Sequence, residues 1–154
     1  MPASPVLTRA PDARAMPAGV GSASVSQHPN VAIVRRFYQA FISRDTATIW
    51  ALSGENVEFH VPGRSRFAGT HKGRDEILRM FHETGKAAGH SIKIRLHALM
   101  GGDDHVVGLH HITGSREGRT LDQNACLVAH VTEGVMVDVW LAFEDLKAFD
   151  RFWT

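Results

Sequence analysis

Three ionisable side chains stand where the surrounding residues give them a stake in chemistry: His60, His110 and Asp138. Asp138 lies within Met136-Val137-Asp138-Val139-Trp140, a nearly unbroken apolar run. A carboxyl there is partly buried on either face of a strand, so it must be paired or hold its proton more tightly than usual. A cross-strand ion pair, to His130 or Arg119, meets that need as well as catalysis does. His60 falls near the end of Val57-Glu58-Phe59-His60-Val61, just before Pro62-Gly63. An imidazole titrates near working pH and can serve as a general base. Strand alternation nevertheless sets His60 on the face opposite Phe59 and Val61. His110 and His111 are adjacent, so in a strand they face opposite ways and cannot share one metal. Tyr38 offers a hydroxyl on an otherwise apolar helical stripe, where it either packs or hydrogen-bonds a ligand carbonyl. Acids, imidazoles and a phenol can together move a proton beside a carbonyl and stabilise the enolate oxygen.

Other chemistries lack their residues. The ten histidines include no His-x-His and no His-Glu-x-x-His, and Cys126 is the one cysteine. No metal is expected from such spacing, and no intrachain disulfide can form. Without a Gly-x-Gly-x-x-Gly or a phosphate-binding loop there is no nucleotide signal, so the expected cofactor is none. A net charge of +1 gives no field to gather nucleic acid or an anionic membrane. No run nears the ~20 apolar residues of a membrane span, and a cytoplasmic setting is the default. Cys126, flanked by Ala125 and Leu127, reads as a buried apolar thiol.

The elements that must position these groups follow from periodicity. Asn30 is a plausible N-cap for a helix to about Ser43, with Val34, Phe37, Tyr38 and Phe41 at i, i+3, i+4 and i+7. Asp45 caps a second, short helix carrying Ile49, Trp50 and Leu52, stopped by Gly54. The strand 57–61 and a loop through Gly69-Thr70 lead to a third helix from Asp75 to Glu83, with Gly85 and Gly89 breaking it. Strands are then predicted over 91–99, 105–113, 119–132 and 135–143, joined by short polar turns into an antiparallel meander. Asp145 starts a closing helix with Leu146, Phe149 and Phe152 on one side. Residues 1–29 hold five of the six prolines amid Ala, Ser and Gly, and read as a disordered tail before one domain over 30–154. This order argues α+β, with helices against one face of a curved antiparallel sheet and a hollow between them.

Phe59-His60-Val61-Pro62-Gly63, Phe67-Ala68-Gly69-Thr70 and Gly73-Arg74-Asp75-Glu76-Ile77 resemble the SnoaL-like family, within the nuclear transport factor 2-like superfamily. Arg44-Asp45, Glu133-Gly134, Asp138-Val139-Trp140, Asp145, Asp150 and Phe152-Trp153 are similar to its later landmarks, so the likeness spans about 31–154. The resemblance implies a cone-shaped sheet wrapped over three N-terminal helices, usually a homodimer, with a pocket between the first helices and the concave sheet. It also implies departures. Ketosteroid isomerases carry two Asp and a Tyr where this chain has Val61, about Leu127, and Phe37. Limonene-epoxide hydrolases need an Arg-x-Asp that does not occur here. Cyclases of the SnoaL type use a pocket Asp with a His nearby, a role open to Asp138.

The resulting expectation is a cofactor-independent acid–base enzyme, an isomerase or cyclase, acting on a small, largely apolar carbonyl compound. Asp138 or His60 would take the proton, and His110 or Tyr38 would hold the oxygen. His110 is the imidazole that matching through the Gly118 turn sets inward. Phe37, Tyr38, Phe41, Trp50, Phe59, Phe81, Leu127, Trp140 and Phe143 would line or pack beside the hollow. The alternatives are a non-catalytic binding module, a purely structural dimerisation domain, and an epoxide hydrolase with a rearranged site. The partners expected are one small apolar or polyketide-like molecule and a second copy of the chain.

Overall fold

Ten elements make up the chain in this computed structural model, which describes residues 28–154; most of the predicted tail, residues 1–27, lies outside them. Helix α1 (Pro29–Ser43) starts earlier than Asn30. His28 is its N-cap, its Nδ1 accepting from the Asn30 backbone N–H at 3.1 Å. Pro29 occupies the first turn, where its missing N–H leaves no bond unmade. The Asn30 amide instead donates to the carbonyls of Gly102 and Asp103, tying the helix start to a distant strand turn. Asp45 caps α2 (Thr46–Leu52) as expected, its Oδ1 accepting from Thr48 N–H at 3.1 Å.

Strand β1 (Ser53–Val61) buries Val57, Phe59 and Val61 and turns Glu58 and His60 the other way. The predicted loop contains a short edge strand, β2 (Gly69–Lys72), paired antiparallel to β1. Helix α3 (Arg74–Ala87) runs through Gly85 rather than ending there. Gly85 sits inside the helix beside the His90 ring, and a single glycine there weakens the helix without breaking it. The meander follows as β3 (Lys93–Gly101), β4 (His105–Arg116), β5 (Arg119–Thr132) and β6 (Val135–Phe143), and α4 (Leu146–Trp153) ends the chain.

The sheet order is β2-β1-β6-β5-β4-β3, and β1 pairs with β6 in parallel. That parallel pair joins the first strand to the last, and no hairpin pattern announces it. Registers shift between Leu96 and Ala98, between His130 and Val131, and within β1. Bulges of this kind bend strands and add twist. The bent sheet folds over α1, with Val34, Val106, Ala129 and Val139 fully shielded at the centre. The fold is thus α+β with a curved six-stranded sheet, but among the described residues only α1 and α2 precede the first strand; α3 and α4 enter later. No helix among the described residues is long and apolar enough to cross a membrane. Cys126 is half-buried, because alternation sends Leu127 inward and the thiol outward.

Candidate functional site

A cavity of about 110 Å³ lies between α1, α3, α4 and the concave side of the sheet. Helix α1 contributes Phe37, Tyr38 and Phe41, and α3 contributes Met80, Phe81 and Thr84. Strands supply Phe59 and Val61, Ile92 and Ile94 at the start of β3, His110 and Ile112, Leu127, and Leu141 with Phe143. Phe67 from the β1–β2 loop and Phe149 and Trp153 from α4 complete the wall. Phe81 meets Phe41 and Phe59 edge to face, at 5.1 Å and 5.3 Å between centroids, while Phe143 and Phe149 stack. The edge-to-face geometry is one that ring quadrupoles favour.

Four lining residues carry a polar side-chain atom. Thr84 spends its hydroxyl on the carbonyl of Phe81 in its own helix, at 3.0 Å. Tyr38 and His110 meet each other, hydroxyl oxygen to Nδ1, at 2.8 Å. Both are buried, at 2% and 5% exposure. The strand passes this close to the phenol because residue 108 is glycine: a Cβ there would collide with the Tyr38 hydroxyl and ring. Burial, and then the nearby Cys126, holds the Tyr38 phenol well above its usual range, so it stays protonated. Burial, and then the neighbouring His111, lowers His110 to about 4, so the imidazole is neutral at neutral pH. The fourth group is the Trp153 indole, whose Nε1–H is buried and has no hydrogen-bond partner among the described residues.

The structure divides the predicted site. Phe37, Tyr38, Phe41, Phe59, Phe81, His110, Leu127 and Phe143 all face the cavity. His60 and Asp138 do not. They sit on the opposite face of the sheet, where His60 Nε2 lies 3.3 Å from Asp138 Oδ1 and 3.8 Å from Glu58 Oε2. His60 Nδ1 meets the Thr70 hydroxyl at 2.9 Å, and the ring stacks on Trp140. Alternation decides this: Phe59 and Val61, and Leu141 and Phe143, take the inner positions on the same two strands. A cavity role for His60 and Asp138 is therefore corrected, and Asp138 finds its ion pair in His60, not in His130 or Arg119. Trp140 is outward and 39% exposed, and Trp50 lies outside the cavity beneath the Arg74 guanidinium, 5.3 Å from the ring centroid. One ligand atom each from Glu58, His60 and Asp138 lies within 4.8 Å of the others, a spacing that a divalent cation can bridge. Lys72, 3.5 Å from Glu58, already supplies a positive charge to this group, and His60 hydrogen-bonds Asp138.

Sequence reasoning passed over Phe67 and the α4 pair Phe149 and Trp153. The usable signal was the i, i+4 spacing of the α4 pair, which puts both rings on one face.

The sequence pattern of the SnoaL-like domain matches residues 34–139. The chain belongs to the SnoaL-like family. Among its relatives, an uncharacterised protein of Mycobacterium tuberculosis (strain ATCC 25618 / H37Rv) is 28% identical over 122 residues, covering 79% of this chain and 93% of its own. The SnoaL-like fold is matched by Bal32a, from a soil-derived mobile gene cassette, with TM-score 0.79, 41% identity, and coverage of 82% of this chain and 97% of that one. A Xanthomonas campestris protein with a cystatin-like fold aligns with TM-score 0.78 at 26% identity, over 82% of this chain and 98% of its own. Structures classed by name with ketosteroid isomerases and polyketide cyclases align at 14% and 15% identity, a likeness of fold alone.

Proposed function

We propose that this SnoaL-like domain is a cofactor-independent acid–base enzyme acting on a small, largely apolar carbonyl compound held in the cavity, with Tyr38 and His110 as the reacting pair. The observation that carries this is their 2.8 Å contact inside a largely apolar wall. A buried polar pair satisfied in this way is held rigidly in one geometry, which is what a reacting pair requires. In the tautomer with Nδ1–H donating to the Tyr38 oxygen, the Tyr38 O–H is free to donate to a ligand carbonyl and His110 Nε2 is a lone-pair base. The α-carbon C–H bond then breaks, its proton passes to Nε2, and the electron pair moves into an enolate whose oxygen accepts from Tyr38. Return of that proton to another carbon is isomerisation; attack of the enolate carbon on a second carbonyl of the same molecule is cyclisation. The unpartnered Trp153 N–H supports a ligand bearing a further acceptor oxygen. At about 110 Å³ the cavity is smaller than the engineered apolar cavity of about 150 Å³ that admits benzene, so it takes no more than a single ring, with the remainder of the molecule extending outward. The partners of this reading are that small molecule and a second copy of the chain.

β-Tetralone, a bicyclic ketone with exchangeable α-hydrogens, is a direct probe. Deuterium uptake from heavy water, followed by NMR, should be faster with the protein than with buffer alone. Tyr38→Phe and His110→Gln should each lower that acceleration by roughly 10²-fold. Exchange unchanged by the protein, or equally fast in both variants, would overturn the catalytic reading in favour of a binding module.

A further inference from the structure

In front of the cavity lies a wider vestibule of about 550 Å³, between the C-terminal parts of α1 and α3 and the start of β3. Phe41, Phe81, Thr84, Ile92 and Ile94 line both spaces, so the two adjoin. The outer lining changes character. It contains Arg44, His82, His90 and Lys93, and no Asp or Glu. Arg44 and Lys93 are exposed, and neither makes an ion pair among the described residues. Arg44 donates only to the His90 carbonyl, at a long 3.4 Å. Many other lysines and arginines among the described residues are also without an ion pair, so what sets Arg44 and Lys93 apart is their place on the lining of this vestibule. The mouth thus sets two cations, and no carboxylate among its described lining residues, around an apolar well.

We infer that the ligand is an anionic amphiphile: an apolar ring or chain seated in the cavity, with a carboxylate or another oxyanion held at the vestibule by Arg44 and Lys93. This inference rests on the reading that the cavity takes a ligand, and adds the charge. The apolar body supplies binding energy by leaving water. The two cations orient it, leaving the end that carries no charge against Tyr38 and His110, and they raise the encounter rate for anions over neutral analogues.

Two fluorescent probes separate the claims: anilinonaphthalene sulfonate, and phenylnaphthylamine, the same ring skeleton without the sulfonate. The full chain should bind both at one site and prefer the sulfonate by about 10-fold at low salt, a preference that shrinks in about 0.5 M salt. Arg44→Asn with Lys93→Gln should erase the preference and leave phenylnaphthylamine binding unchanged. Asn is chosen because Arg44 has φ of 59°, a left-handed conformation that Asn accepts. Equal affinity for the two probes, or a preference that survives both high salt and the double variant, would overturn the anionic head group while leaving the cavity reading intact. Binding of neither probe would bring down the cavity reading and this inference with it. A thermal melt of the double variant shows whether any loss is local.

Discussion

His110 links the site to stability through its proton. Its pKa is lowered from 6.5 to about 4 in the folded chain, by burial first and by His111 second. Between those values the unfolded chain binds more protons than the folded one, so stability rises with pH through this window. The full contribution is present above about 6.5 and is lost as pH falls toward about 4, a change of order 3 kcal/mol. Carboxylates titrate in the same acid range, so the comparison that isolates the imidazole is with His110→Gln. The variant's urea-unfolding free energy should fall less steeply than the wild type's between pH 6.5 and 4.5, and parallel curves would show that His110 is not held neutral. At this scale the sequence was half legible. Tyr38 and His110 could both be picked out, yet adjacency to His111 left the inward imidazole undecided by pattern alone, since both strand faces are apolar. Gly108 was the residue that could have decided it. A glycine on the same face as His110 marks a close approach from the facing element, and Tyr38 makes that approach. His60 and Asp138 misled for the opposite reason. An acid and an imidazole in apolar strands look like a buried reactive pair, but each shares its strand with aromatic or aliphatic neighbours that claim the inner positions.

Helix α4 acts as a lid fixed in place by one carboxylate. Asp150 accepts from the backbone N–H of Arg64, at 3.0 Å, and of Ser65, at 3.1 Å, holding the β1–β2 loop against the helix. Gly63, with φ of 97°, brings the chain so near that a Cβ there would strike the Asp150 carboxylate. Through this contact Phe67 from the loop and Trp153 from the helix meet edge to face at 4.9 Å, closing one end of the cavity. Asp150→Ala removes the acceptor and leaves two backbone donors to water, so stability should drop by about 1–3 kcal/mol with the urea m-value unchanged. A loss within about 0.5 kcal/mol would mean that the loop holds its place without the carboxylate. The elements themselves were readable because caps and periodicity are local: Asp45 and Asp145 cap their helices where the sequence placed them. What could not be read was long-range. The α4 face that packs inward and the parallel pairing of β1 with β6 depend on residues dozens of positions away.

At the scale of the whole molecule, helices cover the inner face of the sheet, and the outer face carries an apolar band beside the polar group of Glu58, His60 and Asp138. The inner face meets α1 and the cavity. On the outer face, Val107 on β4 pairs with Val128 on β5, which pairs with Trp140 on β6, which lies beside His60 on β1. Leu109, Cys126 and Ala142 form the next row. These residues are half-buried or exposed, and Trp140, the largest of them, is 39% exposed. An apolar band crossing three central strands is more than scattered surface hydrophobicity, and such bands mark interfaces. The proposed second copy of the chain is the occupant that fits, because a twofold arrangement sets the same band against itself and needs no other partner. A stable pair requires roughly 1,200 Å² or more of buried surface, which the middle of a six-stranded sheet can supply. The chain should therefore sediment as a dimer at micromolar concentration, with a thermal midpoint that rises with protein concentration. Trp140→Glu places two like charges near the symmetry axis and should shift it to monomer, while the far-UV circular dichroism and the β-tetralone exchange, which depends on the opposite face, stay as they are. A wild-type monomer, or a dimer indifferent to Trp140→Glu, would assign the outer band to some other purpose.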